Sequence, residues 1–393
     1  MTQHMPKNEL NWRIHRLQER LWETNMDGII VSQNADLHYF AGTDRRSSLW
    51  IPRSGEPILF VFRGIEWARE SSGLAKVEEL ENPRELPARL LKAGLTNLSV
   101  VGLEMDVLPA AQYLRYGKLF PTCKWADASA LIRDIRMIKS EWELRQLRNA
   151  WPMVQAVFET MKRELHEGVR EFSLLSHIER VSREHGHPGF MRTRGFNQGL
   201  VYTQILSGED AVVTSFGSGP LGGRGSAGYE HGSSNRIIKR GDSVILDYCS
   251  YFAGYMLDVT RTFCIGDLSE KLYKAYETSR AIQDAVVAAA KIGVACDSLY
   301  HLAESLAETK GLKQNFMGLG KSVGFIGHGI GLEVDELPVI APGVKTLLEP
   351  GMVICLEPKF VFPEGAVGIE NTWFVSEAGL ECLTPYEEEI IKK

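Results

Sequence analysis

Four acidic residues close apolar runs in the last third of the chain. Gly241-Asp242-Ser243-Val244-Ile245-Leu246-Asp247 is followed by a second acid in Tyr255-Met256-Leu257-Asp258-Val259-Thr260. Gly351-Met352-Val353-Ile354-Cys355-Leu356-Glu357 is followed in the same way by Val367-Gly368-Ile369-Glu370-Asn371-Thr372. Solvated acids on exposed strand faces are the plain alternative. Against it, a charge beside a core is costly unless it is paired or metal-bound, and like charges opposed across strands repel. No cluster of Lys or Arg is read as interleaving all four acids, so divalent cations are the expected partners. His328, in Gly327-His328-Gly329-Ile330-Gly331, supplies a further donor, with glycines that open unusual backbone conformations and close approach. One imidazole and four carboxylates make a mostly hard set that suits manganese, cobalt, iron or zinc, as two ions about 3.5–4 Å apart.

The acids must come together through two hairpins. A turn at Phe252-Ala253 would set Asp247 directly opposite Asp258, and a turn at Pro363-Glu364 would do the same for Glu357 and Glu370. Directly opposed residues hold their Cβ atoms about 4.5–5.5 Å apart on one face. A one-residue slip would throw one acid to the other side.

The rest of the chain supplies the frame. At 393 residues it exceeds one usual core, so two domains are expected, divided into 1–135 and 136–393. In the first, strands at 28–32, 50–52, 57–62 and 98–103 alternate with helices near 11–25, 66–72, 84–93 and 108–116, an α/β pattern. Asn34, Asp36, His38, Asp44, Arg45 and Arg46 are read there as a polar connection. Ser140 caps a long helix running to about Glu167, with Glu143 at the capping-box position. A second helix covers Glu171 to Glu184, residues 189 to 235 form glycine-rich loops around Gly217-Ser218-Gly219, and two helices cover 269–292 and 296–310.

Composition narrows the function. A net charge of -6 argues against a nucleic-acid-binding surface. Six cysteines without CxxC spacing fit reduced thiols in a cytoplasmic protein. Neither a secretory signal nor a membrane-spanning run is read, so no membrane partner is expected.

These residues resemble the pita-bread metallopeptidases: proline-specific aminopeptidases and dipeptidases, methionine aminopeptidases and creatinase-like proteins. Asp247 and Asp258, His328 in Gly-His-Gly, Glu357 in Leu-Glu-Pro and Glu370 in Gly-Ile-Glu-Asn match the family's five metal ligands. Gly28-Ile29-Ile30-Val31, Tyr39-Phe40-Ala41-Gly42 and the Arg136-Met137-Ile138-Lys139-Ser140 link extend the likeness to nearly the whole chain. The resemblance implies a smaller creatinase-like α/β domain followed by a pita-bread catalytic domain, an α/β (α+β) chain overall.

By that match Asp247 holds one ion, Asp258 and Glu370 bridge two, and His328 and Glu357 complete the other. A bridging water would attack the scissile carbonyl, with Glu357 as proton shuttle. His231 falls where the family keeps a substrate-contacting histidine. The implied substrate is a short peptide with proline in second position, and the implied assembly a homodimer.

Two positions depart from the pattern: Asp335 stands where proline-specific members carry a histidine, and Gly368 where they carry an arginine. Both belong to the expected substrate-contacting set, and Arg192, Arg194 and Asn197 are candidates to replace the lost contacts. A small-molecule C–N hydrolase of creatinase or ectoine-hydrolase type acting on a small amide, and a non-catalytic binding protein, are the competing readings.

Overall fold

A computed structural model describes residues 4–93, 99–215, 217 and 219–393. The chain divides into two compact units. One runs to Arg136 and includes Arg194–Phe196; the other comprises Met137–Thr193 and Asn197–Lys393.

The first unit is a mixed six-stranded sheet, in the order Val77–Glu79, Ile58–Val61, Ser47–Pro52, Gly28–Val31, Val100–Leu103 and Lys124–Asp127. Gly28–Val31 pairs antiparallel with Ser47–Pro52 and parallel with Val100–Leu103. Its core collects Ile30, Trp50, Phe60, Leu86 and Leu103, the apolar residues of those strands and of one flanking helix. Leu98, expected to begin the Val100 strand, lies outside the described residues.

The polar stretch at Asn34 is a helix, Asn34–Ala41, rather than a connection. The Gln33 side chain accepts from the Asp36 N–H at its start, and Gly42 closes it at φ 72°. Capping satisfies the free backbone groups of a segment whose composition argues for a loop.

In the second unit, Ser140 and Glu143 form the expected capping box. The helix it starts ends at Asn149, and another covers Trp151–Glu164. Pro152, at the start of the second, lacks the N–H that a continuous helix would require. Glu171–Glu184 forms as expected. Three sheets follow. One has the order Ile391–Lys392, Asp258–Cys264, Ser243–Cys249, Thr203–Ser207. A five-stranded sheet runs Glu336–Ile340, Gly327–Gly329, Val353–Leu356, Asn371–Ser376, Gly379–Cys382. Lys359–Phe362 and Gly365–Gly368 pair as a two-stranded ribbon. Helices Glu270–Ala289 and Cys296–Thr309 contribute Tyr276, Ile282, Leu299 and Ala303 to a core shared with Ile354, Phe360 and Ile369. Ser218, in the glycine-rich loop, lies outside the described residues.

Candidate metal centre

The first hairpin differs from expectation by one residue at its turn. Phe252 bridges Tyr255, so Ala253 and Gly254 are the central residues, at φ 49° and 95°. Positive φ at both positions suits a tight hairpin turn, and glycine adopts it readily. Moving the turn centre by one residue moves every partner by two. Asp247 therefore pairs with Thr260, and Asp258 with Cys249. The two acids remain on one face as a diagonal pair, not opposed. The second hairpin turns at Pro363-Glu364 as expected. Leu356 pairs with Asn371 and Lys359 with Gly368, and the same register carries Glu357 across from Glu370. Glu370 exchanges backbone hydrogen bonds with Thr260, of 3.1 and 3.3 Å, and so stitches the two hairpins together. His328 sits beside Cys355 on the neighbouring strand. Its flanking glycines have ordinary φ and serve close approach. A Cβ on Gly327 would lie 2.2 Å from the Cys355 carbonyl oxygen, and one on Gly329 2.1 Å from that of Leu337.

All five predicted ligands converge. Carboxylate oxygens of Asp247, Asp258 and Glu370 lie within 4.8 Å of one another, as do donor atoms of His328, Cys355 and Glu370. His328 Nε2 is 3.7 Å from Glu357 Oε1 and 4.0 Å from Glu370 Oε1. Its Nδ1–H donates to the Gly329 carbonyl at 3.0 Å, which in the neutral ring turns the Nε2 lone pair toward the acids. Thr260 Oγ1 donates to Glu370 Oε2 at 2.8 Å, and Gln204 Nε2 to Asp247 Oδ2 at 3.3 Å. Buried Arg261 donates to the Glu370 carbonyl and to the Asn371 side chain, both at 2.8 Å.

Burial, with Glu370 and Asp247 adding to it, pushes the Asp258 carboxyl well above the usual range. Burial also raises Asp247; the nearby Lys359 ammonium opposes the shift and Glu370 reinforces it. Asp258 Oδ1 is buried without a hydrogen-bond partner. An orphaned buried oxygen in a crowd of hard donors is what a divalent cation would satisfy, so the residues fit that group.

No Lys or Arg cluster interleaves all four acids among the described residues, but one lysine, Lys359, reaches three of them. Its side chain is 1 % exposed, and Nζ lies 2.8 Å from Glu357 Oε2, 2.9 Å from Glu370 Oε2 and 3.6 Å from Asp247 Oδ2. Burial would lower its pKa, but Glu357, Glu370 and Asp247 together hold the ammonium well above the usual lysine range. The signal was present in the sequence: a lysine two residues after a candidate ligand returns toward the same face of a strand. Thr260 and Arg261, flanking Asp258 in Asp258-Val259-Thr260-Arg261, gave no such signal, because their roles depend on Glu370 arriving from another strand.

A cavity of about 240 Å³ opens on the centre. Met191, Leu200, Tyr202, Pro220, Phe325 and Val339 give it apolar walls, while His231, Asp335 and the five candidate ligands line it as well. Burial lowers the His231 pKa, with Asp247 opposing. Gly368 lies elsewhere: a Cβ there would meet Lys359 Cγ at 2.5 Å, so this glycine makes room for the lysine stem. Arg194 belongs to the first unit, where it donates to Asp106 at 2.6 and 3.0 Å and to Asp36 at 3.0 Å. Those acids occupy its guanidinium, so it does not serve as a replacement substrate contact.

Known proteins resemble this chain along nearly its whole length. The family Metallopeptidase family M24 matches residues 145–377, and Creatinase/Prolidase N-terminal domain matches residues 13–138. The chain is 26% identical over 386 residues to an Xaa-Pro dipeptidase of Pyrococcus horikoshii, covering 97% of this chain and 99% of that one. It is 28% identical to an Xaa-Pro dipeptidase of Lactobacillus delbrueckii subsp. lactis, over 96% of this chain and 98% of the relative. The solved structure of an Xaa-Pro dipeptidase from Bacillus anthracis superposes with a TM-score of 0.84 at 26% identity, over 98% of this chain and 100% of that one. With the family model matching residues 145–377, more than half of its length, this chain belongs to metallopeptidase family M24.

Proposed function

We propose that this chain is a proline-type dipeptidase or aminopeptidase that hydrolyses the bond between an N-terminal residue and a following proline. The observation that carries the reading is the convergence of Asp247, Asp258, His328, Glu357 and Glu370 on one small, largely apolar cavity. These five side chains are the proposed metal ligands, with Asp258 and Glu370 placed to be shared if two ions enter. A divalent cation held there supplies Lewis acidity and lowers the pKa of a water. Glu357 faces the cavity and is positioned to take and pass a proton. His231, buried and lining the same space, contacts the substrate. Asp335, at the cavity wall, offers a carboxylate to a substrate amine.

Manganese, a cytoplasmic location and a homodimer complete the proposal. The hard donor set supports the first, six free cysteines the second, and the family resemblance the third. No helix among the described residues is long and apolar enough to cross a membrane. The assignment of 1–135 as the creatinase-like domain and 136–393 as the catalytic domain is part of the same reading.

The test is a panel of Xaa-Pro dipeptides, longer Xaa-Pro peptides and cyclic or guanidino amides, assayed with the manganese-reconstituted protein. Turnover of the Xaa-Pro substrates is expected. Activity confined to the amides would replace the peptidase reading with the small-molecule C–N hydrolase.

A further inference from the structure

We propose that Lys359 is a resident cation of the centre: its ammonium holds one of the two cation positions, so the native chain binds a single divalent ion. This rests on the metallopeptidase reading above. Each of the two glutamates divides its oxygens. The Oε1 atoms of Glu357 and Glu370 face His328 Nε2 at 3.7 and 4.0 Å. The Oε2 atoms of the same residues hold Lys359 Nζ at 2.8 and 2.9 Å. Asp247 Oδ2, at 3.6 Å, is the third acid facing that ammonium. The His328 side thus keeps an imidazole and two carboxylate oxygens for an ion, whereas the Asp247 side is already occupied by positive charge.

The lysine has nowhere else to go. Its backbone pairs with Gly368, and its carbonyl accepts from the Met317 N–H at 2.9 Å. Its stem fills the space that any side chain at 368 would need, since a Cβ there would approach its Cγ, Cα and Cβ at 2.5 to 2.9 Å. Gly368 and Lys359 are therefore one feature: the glycine leaves the room through which the lysine reaches the acids from the facing strand. An ammonium offers three N–H donors and one charge, enough to neutralise part of a four-acid cluster without the geometry of a second metal.

The test counts metal. Wild-type protein, Lys359→Met and Lys359→Gln are stripped with chelator, reloaded with excess Mn2+, desalted and analysed for manganese by mass spectrometry. One ion per chain in the wild type and two in the variants is the expected result. Lys359→Gln keeps hydrogen-bonding capacity without charge, and stands in if the methionine variant does not fold. Two ions in the wild type, or one in both wild type and a folded variant, would overturn the role of Lys359 while leaving the metallopeptidase reading intact. Manganese absent from all three would sink that reading itself.

Discussion

Asp36 in the N-terminal unit accepts from Arg136 at 2.6 Å and from Arg194 at 3.0 Å, whereas three carboxylates in the second unit share the single ammonium of Lys359. Both clusters are buried, and they are balanced differently. In the first, burial would raise Asp36, but the two arginines outweigh it and hold its carboxyl below the usual range. Burial, with Asp36 beside it, pushes Glu104 well above its usual value. Asp36 and Asp106 then face two arginines, and charge is matched within the protein. In the second, Asp247 and Asp258 are both raised, Asp258 leaves an oxygen unpartnered, and negative charge exceeds positive. A cluster whose charges are matched within the protein is architecture; one left with an excess of like charge is prepared for a cation.

Removing a member from each cluster tests the contrast. Asp258→Ala or Glu370→Ala should lower kcat/KM on an Xaa-Pro dipeptide by about a thousandfold or more, the scale of losing a major electrostatic contribution. Bound metal should fall with it, and metal analysis alongside kinetics checks both. Retained turnover in either purified variant would contradict their assignment as ligands. Asp36→Ala should instead cost about 3–5 kcal/mol of stability by taking a buried carboxylate away from Arg136 and Arg194, while a folded fraction keeps its metal. Urea unfolding measures the first effect. A loss of metal with no loss of stability would erase the distinction between the clusters.

A third buried group, apart from both clusters, sets a baseline for acid sensitivity. His187 stacks on Tyr202 at 3.9 Å, donates from Nε2 to the Cys249 carbonyl at 3.2 Å and accepts at Nδ1 from the Gly189 N–H at 2.9 Å. Both ring nitrogens are satisfied only in the neutral form. Burial, with Arg183 adding to it and the Cys249 carbonyl opposing, lowers its pKa from 6.5 to about 4. The folded value lies below the unfolded one, so the contribution is full above pH 6.5. It is lost as pH falls toward 4, a span of roughly 3–4 kcal/mol at about 1.4 kcal/mol per unit. Denaturant unfolding between pH 7.5 and 4 should show a shallower decline in His187→Gln than in the wild type. Equal slopes would move the acid sensitivity to the carboxylate clusters.

Much of the centre was legible because each of the four acids closes a local apolar run, and that pattern survives any error of register. The Ser140 capping box and the Glu171–Glu184 helix were equally local. The features that escaped depend on neighbours distant in sequence or on small shifts of backbone. Pro152 divides a helix that looked continuous, and caps at Gln33 and Gly42 make a helix of residues that looked like a loop. The turn at Ala253-Gly254 makes Asp247 and Asp258 a diagonal pair.

The sequence by itself determined the donor chemistry: which acids and which histidine, on which hairpins, and that they require positive charge. Only the tertiary structure decided where that charge comes from. Strand pairing sets Lys359 against Gly368, and a residue without a side chain leaves room for the lysine stem to reach Glu357, Glu370 and Asp247. Such complementarity between facing strands is a property of register and volume, which no single stretch of sequence contains.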